Sequence, residues 1–158
     1  MTSTEKQGKW AQRFLALCNH ISTWSEDRDF NVGAVIVGPD LEIRATGYNG
    51  LPRGVQSDDD ARFDRKSGEK FFWIEHAERN AIYNAARSGA VISGCSIYVN
   101  RFPCADCARA IIQSGIKTVY SPGKPEFDGA LDHSFDVSEV LLREARVKVV
   151  TIQEETSA

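Results

Sequence analysis

Short β-branched runs alternate with helix-forming segments along most of this chain, and this alternation limits its possible folds more than any other feature. Residues 32–38 read Val-Gly-Ala-Val-Ile-Val-Gly, a continuous apolar run that is typical of a central strand. Pro39-Asp40 predicts a turn, and residues 41–48 return as a second strand, so these two strands form a hairpin. Further strands are predicted at 95–99, 116–120 and 147–152.

Between the strands, apolar residues recur at the three- and four-residue spacing of a helix with one buried face. This spacing predicts helices at 10–24, 74–88, 104–114 and 136–145, and Gly89 is expected to cap the second of them. Later strands that are separated by one helix should run parallel through right-handed crossovers, whereas the first hairpin must be antiparallel. We therefore predict an α/β fold, a three-layer α/β/α sandwich around a mixed five-stranded sheet.

Length and charge narrow the class of protein further. A chain of 158 residues fits one domain, predicted over 1–158, with 153–158 as a frayed tail. The formal net charge is −3, whereas duplex-binding proteins usually carry a basic surplus, so we expect no duplex nucleic acid partner. One small anionic ligand remains compatible with this charge. No apolar run approaches the roughly 20 residues of a membrane span, and no signal peptide is visible, which predicts a cytoplasmic protein without a membrane partner.

The four cysteines fall into two groups. Cys104 and Cys107 form a C-x-x-C pair, whereas Cys18 lies on an apolar helical stripe and Cys95 opens a predicted strand. We expect Cys18 and Cys95 to be packing residues, because free cysteine is often buried. In a chain of this kind, metal ligands or buried thiols explain the cysteines better than disulfides do. Taken alone, the C-x-x-C pair also fits a redox pair or half of a structural zinc site.

A second motif, His76-Ala77-Glu78, opens the preceding predicted helix. Two thiolates and one imidazole suit Zn²⁺, and three protein ligands leave the fourth tetrahedral position for water, as in catalytic sites. His76, Cys104 and Cys107 are therefore the predicted ligands of one Zn²⁺ per chain. Glu78 lies near His76 without sharing its direction, so it is suited to take a proton from the activated water and return it to a leaving group. The sequence H-x-E followed by P-C-x-x-C is the pattern of zinc-dependent nucleobase deaminases.

The segment 49–72 is predicted to be a long loop without secondary structure, and such loops inside a compact domain are usually functional. Most of the aromatic residues in and around it are expected in the core or in interfaces. Phe102, beside the zinc ligands, is the aromatic residue best placed to touch a base. The other aromatic residues considered are Trp24, Phe30, Phe71, Phe72 and Trp73.

Together, these residues resemble those of the cytidine and deoxycytidylate deaminase superfamily, and most closely those of the deoxycytidylate (dCMP) deaminases. The resemblance extends from about Trp10 to Val150. Its matching stretches are 32–37, 46–50 with Pro52-Arg53-Gly54, 76–82, and 103–108 followed by 111–116. The zinc motif is typical of the superfamily, and the Gly-Tyr-Asn-Gly-x-Pro-x-Gly loop with the Glu-Arg-Asn-Ala-Ile run favours the dCMP branch.

This resemblance implies a zinc-dependent hydrolytic deaminase that converts the cytosine ring of a free nucleotide, dCMP, to uracil with release of ammonia. It implies a hydrogen bond from Asn49 to the sugar and a backbone N–H of Ala77 that faces the pyrimidine carbonyl. The backbone around Phe102 would meet the departing amine, and Glu78 would shuttle the proton. The resemblance also implies a homo-oligomer, a hexamer or a dimer. Regulation by an allosteric nucleotide bound with Mg²⁺ is a family property that this sequence leaves open.

One segment, 25–33, departs from the dCMP deaminase pattern of Ser-Lys/Arg-Asp-Pro-Ser-Thr-Lys-Val-Gly. Glu26 replaces the usual basic residue, Arg28 replaces the usual proline, and Asp29-Phe30-Asn31 replaces the usual Ser-Thr-Lys run. An acidic side chain close to a 5′-phosphate would repel it, so either Arg28 compensates or the substrate lacks a phosphate. The candidate phosphate contacts are Arg53, Arg62, Arg65, Lys66 and Arg101.

This departure keeps several alternatives open. If the substrate lacks a phosphate, the chain deaminates a nucleoside or another aminated heterocycle. Deamination of tRNA or single-stranded nucleic acid is a separate alternative, which the acidic charge balance disfavours. A different class of function, a non-catalytic zinc-binding oligomeric module, is disfavoured by the intact Glu78.

Overall fold

Five strands form one mixed sheet within residues 2–153, which are the residues that this computed structural model describes. The strand order is β2-β1-β3-β4-β5, in which β1 is antiparallel to both of its neighbours and the last three strands are parallel. The predicted antiparallel hairpin and the parallel later strands are therefore confirmed. The strands are β1 Gly33–Val37, β2 Ile43–Tyr48, β3 Ser96–Val99, β4 Thr118–Ser121 and β5 Lys148–Thr151. Of the predicted tail at 153–158, Gln153 is exposed and without secondary structure, and residues 154–158 lie outside the described residues.

Helices cover both faces of this sheet. They are α1 Ser3–Ser22, α2 Lys70–Trp73, α3 Ala77–Ser88, α4 Ala105–Gln113 and α5 Asp132–Glu144, with a 3₁₀ turn at Asp60–Phe63. On one face, α1 packs against inward side chains of β1 and β3 in a cluster that includes Phe14, Val35 and Tyr98. On the other face, α3, α4 and α5 contribute Ala81, Ile111 and Leu142 to a second cluster. The predicted three layers are confirmed.

Several helix boundaries differ from those predicted. The helix predicted at 74–88 begins only at Ala77, because Ile74 and His76 have extended backbone. The helix predicted from residue 136 begins at Asp132, whose carboxylate accepts the backbone N–H groups of two preceding residues, at 2.7 and 3.0 Å. The first helix begins at Ser3 rather than near residue 10, because Thr2 and Glu5 form a capping box.

The prediction of a structureless loop over 49–72 is wrong in part. The 3₁₀ turn and α2 both lie in it, and Asp59 caps the first by accepting the backbone N–H of Ala61 at 3.0 Å. Gly50 and Glu75 exchange two backbone hydrogen bonds, which joins the two ends of the segment. The connection is therefore an ordered structure that leaves β2 and returns beside it.

The sheet topology brings the starts of two helices together. Because β1 is antiparallel to both β2 and β3, those two strands run in the same direction, and each leads to a helix. The N-termini of α3 and α4 therefore lie at the same edge of the sheet. The close packing of α3 on the sheet depends on Gly47, where a Cβ atom would lie only 2.3 Å from the Ala81 nitrogen. No helix within residues 2–153 has the length and apolar character to cross a membrane.

Candidate metal centre

Three metal-binding side chains meet where α3 and α4 begin. His76 is the N-cap of α3, Cys104 is the N-cap of α4, and Cys107 lies in the first turn of α4. The His76 Nδ1 atom lies 3.3 Å from the Cys104 Sγ and 3.5 Å from the Cys107 Sγ. The sequence predicted these three ligands, and the structure brings them together within 4.8 Å of one another.

These separations fit a tetrahedral zinc ion. Zn–N bonds of about 2.0–2.1 Å and Zn–S bonds of about 2.3 Å at the tetrahedral angle place the nitrogen and sulfur atoms about 3.6 Å apart. The observed separations from His76 to the two sulfur atoms are close to this value. Among the described residues, these three side chains are the group that can hold a metal, so one ion per chain fits.

The two cysteines of this cluster differ in the pKa of their thiols. Hydrogen bonding with Cys107 lowers the pKa of the Cys104 thiol to about 4, with a further contribution from His76. Burial raises the pKa of Cys107. Burial also opposes protonation of His76, but its contact with Cys104 outweighs this effect and raises the pKa of the imidazole. Both cysteines lie at a helix N-terminus, where the positive end of the helix dipole favours a thiolate.

Glu78 lies beside this cluster but is not one of its members. Its residue is only 4% exposed, and its Oε2 atom accepts a contact from the Cys107 Sγ at 3.4 Å. Burial raises the pKa of the Glu78 carboxyl above its ordinary value. A buried carboxyl with a raised pKa holds a proton more readily than an exposed one does, and a proton shuttle needs this property.

A cavity of about 530 Å³, including space that is open to solvent, adjoins the three ligands. Its lining combines the site residues His76, Glu78 and Cys104 with aromatic and charged side chains. The predicted substrate contacts Asn49, Ala77 and Phe102 all lie on it.

The three predicted substrate contacts have different surroundings. The Asn49 side chain accepts the Val32 N–H at 2.8 Å and donates to the Phe30 carbonyl at 2.8 Å and to Asp27 at 3.2 Å. Asn49 therefore ties the 25–32 segment to the end of β2, and its role toward a sugar remains a prediction.

Ala77 and Phe102 are both buried. Ala77 is the first residue of α3, a position at which the backbone N–H has no partner within the helix. The Phe102 ring packs edge-on against Phe135, with ring centroids 6.2 Å apart.

The candidate phosphate contacts separate into two groups. Arg65 and Arg101 line the cavity, whereas the other three candidates do not. Arg53 donates to the Asn84 side chain at 2.6 Å, and Arg62 lies over the Trp73 ring at 4.3 Å. Lys66 lines a separate depression on the surface.

Glu26 and Arg28 also lie outside the cavity lining, whereas Phe30 of the same segment lies on it. Glu26 is exposed, and Arg28 pairs with Asp60 and lies over the Phe63 ring. Glu26 therefore does not place its negative charge on the cavity wall. Arg28 does not supply a compensating positive charge there either.

Three structural features in and around the cavity were not predicted from the sequence. Lys70 is buried and donates to Asp27 at 2.8 Å and to Asp29 at 3.0 Å, although these residues lie more than 40 positions away. Phe30, expected in the core or an interface, is 39% exposed and lines the cavity. Asp128 binds both cavity arginines. The sequence carries no local signal for these long-range contacts.

Comparison with known proteins agrees with this site. The family model for the cytidine and deoxycytidylate deaminase zinc-binding region matches residues 8–121. A deaminase encoded in the luxG 3′ region of Aliivibrio fischeri, itself uncharacterised, is 39% identical over 142 residues, which cover 89% of this chain and 92% of that protein. Human deoxycytidylate deaminase is 41% identical over 115 residues, which cover 70% of this chain and 63% of that enzyme. The matched region is thus slightly less than two thirds of the human protein.

A solved structure gives the same result for the fold. The dCMP deaminase of cyanophage S-TIM5, determined in complex with dCMP and dUMP, superposes with a TM-score of 0.73 at 26% identity. The superposition covers 96% of this chain and 99% of the phage protein. The matched family region contains His76, Glu78, Cys104 and Cys107. The chain therefore belongs to the cytidine and deoxycytidylate deaminase family.

Proposed function

We propose that this protein is a zinc-dependent deaminase that converts dCMP to dUMP and releases ammonia. The observation that carries the proposal is the cluster of His76, Cys104 and Cys107, with the buried Glu78 beside it and a cavity next to both. Relatives named deoxycytidylate deaminase and the phage structure that holds both dCMP and dUMP support the choice of substrate.

Zn²⁺, when bound by these three side chains, supplies a Lewis acid that lowers the pKa of a coordinated water to about 7. Glu78 accepts a proton from the attacking water at a carboxylate oxygen and transfers it to the ring nitrogen N3. Glu78 then transfers a second proton, from the oxygen of the former water to the amine on C4, so that the amine leaves as ammonia. The water oxygen forms a bond with C4, the C4–N bond breaks, and the products are uracil and ammonia.

The remaining site residues orient the base. The free N–H of Ala77 at the start of α3 is suited to donate to the pyrimidine carbonyl, because a helix N-terminus carries a partial positive charge. Phe102 and Phe135 form an apolar wall that excludes water from the reacting centre.

A substrate panel with a matched pair of variants tests the proposal. Zinc-loaded protein is assayed for ammonia with dCMP, deoxycytidine, adenine nucleotides and tRNA, and turnover of dCMP is expected. Glu78→Gln should retain zinc and lose about 10²–10⁴-fold in rate, since it removes a general acid–base group. Glu144→Gln, an exposed change at the end of α5, should retain full activity.

Two results would contradict the proposal. If the zinc-loaded protein released no ammonia from dCMP but did so from another aminated heterocycle, the substrate would be wrong and the chemistry would stand. An unchanged rate in Glu78→Gln would show that Glu78 is not the proton shuttle.

We further propose that the protein is a cytoplasmic homo-oligomer. Support comes from exposed aromatic side chains: Trp24 is 54% exposed and Phe72 is 85% exposed. The four unpaired cysteines fit a reducing compartment. Light scattering of the purified protein should give a mass of at least two chains of 17.5 kDa, and a monomer would contradict the oligomer.

A further inference from the structure

One buried carboxylate holds two arginines at the edge of the cavity. The Oδ2 atom of Asp128 pairs with Arg65, and its Oδ1 atom pairs with Arg101. The Asp128 side chain is only 1% exposed, and its Oδ2 also accepts the Leu131 N–H at 3.0 Å. Because Asp128 precedes α5 and its backbone N–H donates to Asp132, the carboxylate is fixed in place. We refer to Arg65 and Arg101 as the arginine pair.

An aromatic ring supports the arginine pair from another side. The Arg101 guanidinium lies 3.6 Å from the centroid of the Phe30 ring, and the Arg65 guanidinium lies 4.8 Å from the same centroid. Both arginines and Phe30 line the cavity that contains His76 and Glu78. Two flexible side chains are thus held in one arrangement before any ligand arrives, which lowers the entropy cost of binding.

The arginine pair retains positive charge and donor groups. Two guanidinium groups share one carboxylate, which leaves a net charge of about +1 in a partly buried place. Among the described residues, Asp128 is the carboxylate that pairs with either arginine, and each contact uses one nitrogen of a group that has five N–H donors. The arginine pair is therefore able to donate further hydrogen bonds to an anion.

The other cation on the cavity is already neutralised. The Lys70 ammonium contacts two carboxylates, those of Asp27 and Asp29, so its group carries a net negative charge. A phosphate monoester carries about −1.5 to −2 charges at pH 7 and has three acceptor oxygens. Of the positive groups on the cavity wall, the arginine pair is therefore the one with charge and donors available for such a group.

We propose that Arg65 and Arg101 bind the 5′-phosphate of the nucleotide substrate and make the enzyme select a nucleotide over a nucleoside. This assignment rests on the proposed deaminase function. It explains how the chain recognises a phosphate although its 25–33 segment lacks the usual basic residue: the positive charge comes from the segments before α2 and before α4. Asp128 and Phe30 act as positioning residues, because they orient the guanidinium groups.

A purely structural role for the same contacts makes a different prediction. Asp128 joins three segments of the chain, so losing an arginine would loosen the site for every substrate equally. Phosphate recognition instead affects dCMP and spares deoxycytidine, which has the same ring and sugar. The ratio of kcat/KM for dCMP to kcat/KM for deoxycytidine therefore distinguishes the two roles.

The experiment measures this ratio in zinc-loaded protein for Arg65→Leu, Arg101→Leu and the double variant. Each single variant is expected to lower the ratio about 10- to 100-fold, since a hydrogen bond to a charged group is lost, while kcat/KM for deoxycytidine stays within about 3-fold. Arg143→Leu removes the same charge from an exposed position on α5 and should leave the ratio unchanged.

Two further measurements cover variants that fold poorly. Arg65→Lys and Arg101→Lys keep a cation opposite Asp128 but lose the planar fork, and they should still lower the ratio several-fold. Calorimetry of the zinc-loaded unmutated protein should show dUMP binding more tightly than deoxyuridine, and each Lys variant should reduce this difference.

The outcomes separate the inference from the function on which it rests. Equal losses with dCMP and deoxycytidine, or an unchanged ratio, would overturn the assignment of the arginine pair and leave the deaminase activity intact. An unmutated protein that deaminates both substrates equally well would do the same. Release of ammonia from neither substrate would instead contradict the proposed function.

Discussion

Replacing Gly47 by alanine should push α3 away from the sheet and disturb the metal centre from a distance. A Cβ atom at this position would lie 2.3 Å from the backbone nitrogen of Ala81 and 2.5 Å from the carbonyl oxygen of Ala77. Ordinary contacts begin at 3.4 Å, so the helix backbone would have to move by about 1 Å. His76 and Glu78 lie at the start of this helix and would move with it.

Two effects of this movement can be measured. Overpacking of this kind costs about 1–3 kcal/mol, so urea denaturation of the zinc-loaded Gly47→Ala variant should show a loss of that size in the free energy of unfolding. A displacement of about 1 Å at reacting groups lowers activity by about 10²-fold, which should appear in kcat/KM for dCMP.

A second glycine provides a control for which the expected change in the free energy of unfolding has the opposite sign. Gly8 lies in the interior of α1, and apart from its chain neighbours and the adjoining helix backbone, no heavy atom of the described residues lies within 4 Å of the position of its Cβ. Gly8→Ala should therefore stabilise the protein by about 0.5–1 kcal/mol through helix propensity and leave activity unchanged. If Gly47→Ala matched the unmutated protein in both stability and kcat/KM, the steric reasoning would be wrong.

Two further predictions concern zinc and the buried ion pair. Cys104→Ser should lose the metal, and its melting temperature should become insensitive to chelator. Cys95→Ser should keep one zinc per chain. Equal zinc content in both variants would refute the assigned ligands. Lys70→Met leaves the Asp27 carboxylate buried without its ammonium and should lower the free energy of unfolding by about 3–5 kcal/mol in urea denaturation, with partial recovery when Asp27→Asn is added. Full stability of the single Lys70 variant would show that water reaches Asp27.

The central sheet and the metal ligands could be predicted because their signals are local. The run of β-branched residues at 32–38 forms β1, all five residues of which are buried. The ligands His76, Cys104 and Cys107 follow from short spacings within two motifs, each of which begins a helix. Both kinds of signal need only a few neighbouring residues.

The features that the sequence did not predict depend on contacts between distant residues. The start of α5 is set by Asp132, which binds backbone groups of the preceding loop, and by burial of Phe135 in the cluster with Phe102. Asp128 lies 63 positions from Arg65 and 27 from Arg101, so nothing in the local sequence announces their contact. Periodicity also favours continuing α3 back to Ile74, but the backbone of Glu75 pairs with Gly50 and stays extended.

Arg65 lies on the ordered connection between β2 and α3, whereas the metal ligands lie at the starts of α3 and α4. The proposed phosphate recognition and the chemistry of the metal centre therefore depend in part on different segments of the chain. The metal ligands belong to helix starts that are packed against the sheet, and any shift there is felt in the core. Connecting segments generally tolerate changes in length and sequence better than helices packed in the core do. Natural or engineered variation in this connection therefore offers a route to new substrate preferences while the reaction itself is preserved.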